Sequence, residues 1–143
     1  MHRTNWHEAV RREHETVTNR VGLIDLTPFA KFIVGGDDAR KYLDYLVAGT
    51  VPREGRTSVV HALTRAGKVY AELTLTGMAG GRFLVVTGSG VEGHDLRHMA
   101  EVARKGEFDV AIDNVTDDLN VLREEGSSFR AFHCGLFLRH VDL

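Results

Sequence analysis

Ser58-Val59-Val60-His61-Ala62-Leu63-Thr64, then Arg65-Ala66-Gly67, then Lys68-Val69-Tyr70-Ala71-Glu72-Leu73-Thr74-Leu75-Thr76: two β-rich runs flank a three-residue turn and read as an antiparallel hairpin. In the second run Val69, Ala71, Leu73 and Leu75 alternate with Tyr70, Glu72, Thr74 and Thr76. A period of two sends one set into a core and the other to the opposite face of a sheet. The alternation therefore predicts that a phenol, a carboxylate and two hydroxyls point the same way.

Working outward, Asn5 with Glu8 has the form of a helix N-cap and its reciprocal partner, and Trp6, Ala9, Val10, Val17 and Val21 follow at roughly helical spacing up to Gly22. Leu23 to Leu26 and Phe29 to Val34 read as strands around a turn at Thr27-Pro28, and Gly35-Gly36-Asp37-Asp38 as the next turn. A second helix is signalled from Asp38 by Ala39, Tyr42, Leu43, Leu46 and Val47 on one face, with Gly49 placed as its stop. Beyond the hairpin, Phe83 to Thr87 is a strand, Ser89 and Glu92 open a third helix with Leu96, Met99, Ala100 and Ala103 inward, Gly106 stops it, and Asp109 to Asn114 alternates again. Three helices among about six strands, with hairpins mixed in, predict an α+β fold: an antiparallel-rich mixed sheet with about three packed helices.

The chain has 143 residues, 43% hydrophobic and 27% charged, with a net charge of -2. That length suits one domain with its own core. No basic surplus is present to neutralise phosphates, which argues against nucleic acid as a partner. No apolar run approaches the roughly 18 residues that span a bilayer, so no membrane partner is expected. Cys134 is the single cysteine, which fits a reducing compartment. Residues 1–18 mix Arg3, Arg11 and Arg12 with Glu8, Glu13 and Glu15, unlike a transit peptide, so no targeting segment is expected here.

Among chemically suggestive residues, Glu72 stands out because a carboxylate on a sheet face can pin protonated nitrogens of a heterocycle or stabilise a developing iminium cation. On pattern alone the alternation favours the plainer reading, a solvated outward residue of a half-exposed strand. His94 and His98 share a helix face at metal-ligand spacing but lack further ligands and read as surface histidines, with Asp95 and Arg97 as solvated helix charges, and no metal site is predicted. Thr87-Gly88-Ser89-Gly90 lacks the lysine of a phosphate loop and the third glycine of a dinucleotide fingerprint. Cys134 beside His133 shows no activating environment, and Asp117-Asp118 reads as a turn or cap.

The order of motifs is more specific than any one of them. Val21-Gly22-Leu23-Ile24-Asp25-Leu26-Thr27-Pro28-Phe29-Ala30-Lys31-Phe32, then Gly67-Lys68-Val69-Tyr70-Ala71-Glu72-Leu73-Thr74, then Val86-Thr87-Gly88-Ser89-Gly90 with His94-Asp95-Leu96-Arg97, then Asn114-Val115-Thr116-Asp117-Asp118-Leu119, run collinearly. This series resembles the folate-binding module of the glycine-cleavage T-protein (aminomethyltransferase) family, in its dimethylglycine and sarcosine dehydrogenase branch. The resemblance implies that the chain holds tetrahydrofolate while a one-carbon unit from a methylated glycine is captured. It implies that Glu72 contacts the folate near its reactive nitrogens as the catalytic and binding carboxylate, with Leu73 and Thr74 beside the pterin.

The T-protein has aspartate where this chain has Glu72, a tyrosine of several relatives falls at Val59, and a T-protein asparagine is replaced by Gly88. The resemblance covers residues 1–122 as the N-terminal part of the module, with 123–143 a divergent tail. The flavin-binding portion and the residues completing the folate pocket lie outside this sequence, so no FAD site and no amine oxidation are expected from it, and the reading is of a truncated module inactive alone. A flavin domain or the remaining module could come from another chain. The dehydrogenase relatives place the protein in the mitochondrial matrix by resemblance, with the cytoplasm as the default. A non-catalytic interaction module is the competing reading.

Overall fold

A computed structural model describes residues 4–125, which fall into two compact units: one drawn from residues 1–27 and 120–143, the other from 28–119. His133, Cys134 and the rest of the tail from 126 lie outside the described residues.

In the first unit, helix α1 (His7–Asn19) begins after Trp6 without a side-chain cap, so the predicted Asn5–Glu8 box does not form. Glu8 instead reaches one turn forward to Arg11, Oε1 to Nη2 at 2.6 Å, and Arg11 also bonds Glu15. A charge-assisted pair at helical spacing outcompetes the neutral cap for the carboxylate. Gly22 does not stop this helix, which ends at Asn19; it opens strand β1 (Gly22–Asp25). Strand β8 (Leu122–Glu125) pairs antiparallel with β1, Gly22 opposite Glu125 and Asp25 opposite Leu122. The segment Arg123-Glu124-Glu125 carries no apolar alternation that would mark a strand, and its pairing with β1 is made by the backbone.

The second unit is a six-stranded sheet in the order β3-β4-β5-β6-β2-β7, with β2 at Ala30–Gly35, β3 at Val47–Ala48, β4 at Thr57–Leu63, β5 at Val69–Gly77, β6 at Phe83–Thr87 and β7 at Ala111–Asn114. Every ladder among the described residues is antiparallel. Helices α2 (Ala39–Leu46) and α3 (Glu92–Lys105) bury Tyr42, Leu43, Leu46, Met99 and Ala103 in one core with Phe32 and Val34 of β2, Val60 of β4, Leu73 and Leu75 of β5, and Val85 of β6. The inward face of α2 is the predicted one as far as Leu46; Val47, expected on the same helix face, instead opens β3, so the helix ends at Leu46 and Gly49 is not its stop. The inward face of α3 differs: Asp95 is buried and Ala100 exposed.

Tyr42 fastens the two helices. Its hydroxyl donates to the Met99 carbonyl at 2.8 Å, and its ring meets Phe108 edge-on at 5.6 Å. Burial pushes the phenol well above its ordinary range, so the folded state favours the protonated form. That contribution is whole below the unfolded value of about 10 and fades as pH rises beyond it. Tyr42→Phe is expected to lose about 1–2 kcal/mol at neutral pH, and urea melts across the alkaline range should show a smaller decline for the variant than for wild type.

The hairpin carries one irregularity. Ala62 faces Ala71, but Leu63 faces Val69, so the ladder slips at Tyr70. An extra residue in one strand bends it and re-aims a side chain. Tyr70 accordingly turns toward α3, where its ring stacks on His94 and His98 with centroids 4.8 and 3.9 Å apart. The phenol thereby meets α3 while still bordering the same surface hollow as Glu72 and Thr74.

Candidate functional site

The β5–β6 ladder ends at the Thr74–Val86 pair, and from Leu73 back to Val69 strand β5 is laddered to β4 alone. On that side β6 turns away through Thr87-Gly88 and a short 3-10 turn at Ser89–Val91 into α3. The divergence opens a shallow depression of about 350 Å³, lined among others by Phe29, Glu72, Thr74, Val86, His94 and Asp95. Its size falls within the usual range for small-molecule sites, about 300–1,000 Å³.

Glu72 stands at the rim. Its side chain is 69% exposed, and Oε2 lies 3.3 Å from Nε2 of His61, its direct cross-strand partner. An exposed pair of this kind contributes only about 0–1 kcal/mol, so an incoming donor can take over the carboxylate at little expense. Thr74 is half-buried beside it, opposite Val59, which is itself exposed. Leu73 goes the other way: it is 2% exposed and packs in the core. Its side chain is therefore not beside the depression, and any ligand contact from this residue would have to be made by its backbone.

The residue that sequence reasoning missed is Asp95. It was read as a solvated helix charge, yet it is 3% exposed. Thr87 Oγ1 donates to its Oδ2 at 2.6 Å, and His94 Nδ1 lies 3.0 Å from its Oδ1. Both partners are local to the turn between β6 and α3, and the available signal was the hydroxyl at Thr87 eight residues before a first-turn acid. His94 and His98 do share a helix face, but what they share is the Tyr70 ring; no cluster of three potential metal ligands occurs among the described residues. No helix among those residues is long and apolar enough to cross a membrane. Phe29, Val86 and Thr74 offer an apolar bed with one hydroxyl, and Glu72 an acceptor at its edge, a donor and acceptor set suited to a flat heterocycle with N–H groups.

With that geometry in view, the comparisons place the chain. The family model of the GCVT N-terminal domain matches residues 2–132, and the chain belongs to that family. Within it, the chain is an aminomethyltransferase-type domain related to dimethylglycine dehydrogenase. It is 49% identical over 124 residues to the mitochondrial dimethylglycine dehydrogenase of Mus musculus, covering 87% of this chain and 14% of that protein. It is 28% identical over 116 residues to an aminomethyltransferase of Clostridium botulinum, covering 80% of this chain and 31% of that one. The chain thus spans a small part of the dehydrogenase and about a third of the aminomethyltransferase. The glycine cleavage system aminomethyltransferase T from Bartonella henselae shares the fold, with a TM-score of 0.72 at 21% identity over 81% of this chain and 32% of that one.

Proposed function

We propose that the chain supplies one wall of a tetrahydrofolate site in an aminomethyltransferase-type module, where a one-carbon unit from a methylated glycine passes to tetrahydrofolate once the rest of the module is in place. The observation that carries this reading is the depression with the Glu72 carboxylate and the Thr74 hydroxyl at its edge, in a chain of this family. Bound there, tetrahydrofolate supplies the nucleophilic nitrogens that accept the carbon. Glu72 accepts hydrogen bonds from ring N–H groups and stabilises positive charge developing at the reacting carbon. Thr74 and the backbone of Leu73 orient the ring against Val86 and Phe29. A flavin domain or the remaining module completes the system as partner, and the mitochondrial matrix is the proposed location, a reading supported by the word mitochondrial in the name of the mouse relative.

Calorimetric titration of tetrahydrofolate tests the site. Wild type is expected to bind weakly, and Glu72→Gln about tenfold or more weakly still, the loss of a hydrogen bond to a charged group. No heat from either chain discards the assignment.

One observation favours a second reading, that of an interaction module: α1 has no buried residue, and it leaves Trp6 and Val10 exposed. Such apolar exposure suits a protein partner. A monomer on sizing columns that binds no hydrophobic dye would count against it.

A further inference from the structure

We propose that His94 is the proton acceptor of the depression, oriented by the buried carboxylate of Asp95. The proposal takes its ligand from the folate reading above, while the geometry behind it stands on its own. Asp95 is buried in the first turn of α3 with two partners, Thr87 donating to Oδ2 and His94 presenting Nδ1 to Oδ1. A carboxylate beside Nδ1 holds the proton there and leaves the lone pair of the neutral ring on Nε2. Thr87 in turn fixes the carboxylate.

Tyr70 does not occupy that lone pair. Its hydroxyl oxygen lies 2.8 Å from Nε2 and 3.3 Å from Nδ1, while the two rings are within 9° of parallel and their centroids 4.8 Å apart. An oxygen so placed in the plane of the imidazole would collide with the carbon between the two nitrogens. It therefore sits over the ring face, and the contact is stacking rather than an in-plane hydrogen bond. Loss of solvent, and then the Asp95 charge, hold the Tyr70 phenol above its ordinary value, so it keeps its own proton. His98, one turn further on, stacks on the same phenol and fixes it as a backing plate. His94 itself is 52% exposed and lines the depression together with Glu72 and Thr74.

The step this arrangement serves is C–N bond formation. A ligand N–H nitrogen attacks a one-carbon electrophile of the iminium class; the C=N π pair moves onto the electrophile's nitrogen, and the attacking nitrogen must shed its proton. His94 Nε2 receives that proton, and the resulting imidazolium keeps its Nδ1–H on Asp95. Glu72 is thereby left with the electrostatic role and His94 with the proton, with Asp95 as a positioning residue.

Nitrogen-15 imidazole spectra of the full chain, at about pH 8.5 and so well above the ordinary imidazole value of about 6.5, test the proposal. His94 is expected as the Nδ1–H tautomer, and tetrahydrofolate should move its Nε2 resonance. Asp95→Ala should shift His94 toward the Nε2–H form that free histidine favours; if that chain does not fold, the wild-type tautomer decides alone. His94→Gln should bind tetrahydrofolate about fivefold more weakly and condense it with formaldehyde about a hundredfold more slowly. An Nε2–H tautomer in wild type, or equal condensation rates for wild type and His94→Gln with tetrahydrofolate bound, overturns the proposal and leaves the folate reading intact. Absence of any tetrahydrofolate binding overturns the folate reading and this step with it, a failure separable from the first because the tautomer is read without ligand.

Discussion

Gly77→Ala is expected to lose about 3 kcal/mol or more of folding stability. A Cβ built on Gly77 would lie 2.3 Å from the Arg53 carbonyl oxygen, 2.6 Å from its carbon and 2.9 Å from the Glu54 nitrogen. All three are backbone atoms, so no rotamer change relieves the overlap. Nor can the overlying segment retreat freely. Gly55 N–H donates to the Gly77 carbonyl and Gly77 N–H to the Arg56 carbonyl, each at 2.9 Å. Just upstream, Arg40 of α2 bonds the carbonyls of Val51 and Pro52 at 3.2 and 2.7 Å and lies over the Phe83 ring. Lifting the segment breaks these bonds together, and leaving it in place forces the end of β5 out of its ladder with Phe83. Chemical denaturation with an unchanged m-value and a midpoint shifted by that amount is the expected record; a shift under about 1 kcal/mol would mean the segment moves far more easily than its hydrogen bonds allow.

The same strand shows why sequence legibility was uneven. The hairpin, the inward face of α2 and the α+β class were readable because Val60, Leu73, Leu75, Tyr42, Leu43 and Leu46 follow the two periods that burial imposes. The family was readable because four motifs stand in one order along the chain. Periodicity was silent where the register slips: the bulge at Tyr70 leaves no mark in the alternation, yet there the phenol stacks on His94 and His98 of α3 while still bordering the depression. Asp95 was misread for a related reason. An acid in the first turn of a helix is usually solvated or capping, and only the three-dimensional turn that brings Thr87 and His94 to its two oxygens makes its burial tolerable. Strand β8 was missed because its pairing with β1 is written in the backbone of Arg123-Glu124-Glu125 and not in their side-chain types. The Glu72 assignment came from the resemblance, since alternation alone is content with a solvated carboxylate.

Leu73 separates resemblance from packing most sharply. Leu73→Ala is expected to lower stability by about 3 kcal/mol, because the side chain is 2% exposed and shares the core with Val60, Leu46 and Met99. Truncation leaves a void between the sheet and the two helices, which are tied by the Tyr42–Met99 hydrogen bond and cannot fully close on it. If tetrahydrofolate meets this residue only through its backbone, affinity measured on the folded population should change by less than about twofold, within a few tenths of a kcal/mol. Thr74→Val should show the reverse, with nearly unchanged melting and weakened binding, since its half-buried hydroxyl lines the depression. Stability from denaturation and affinity from calorimetry, taken on the same two variants, would therefore cross. A Leu73→Ala chain that melts like wild type but has lost its ligand would instead place that side chain at the pterin, contrary to the direction in which β5 points it.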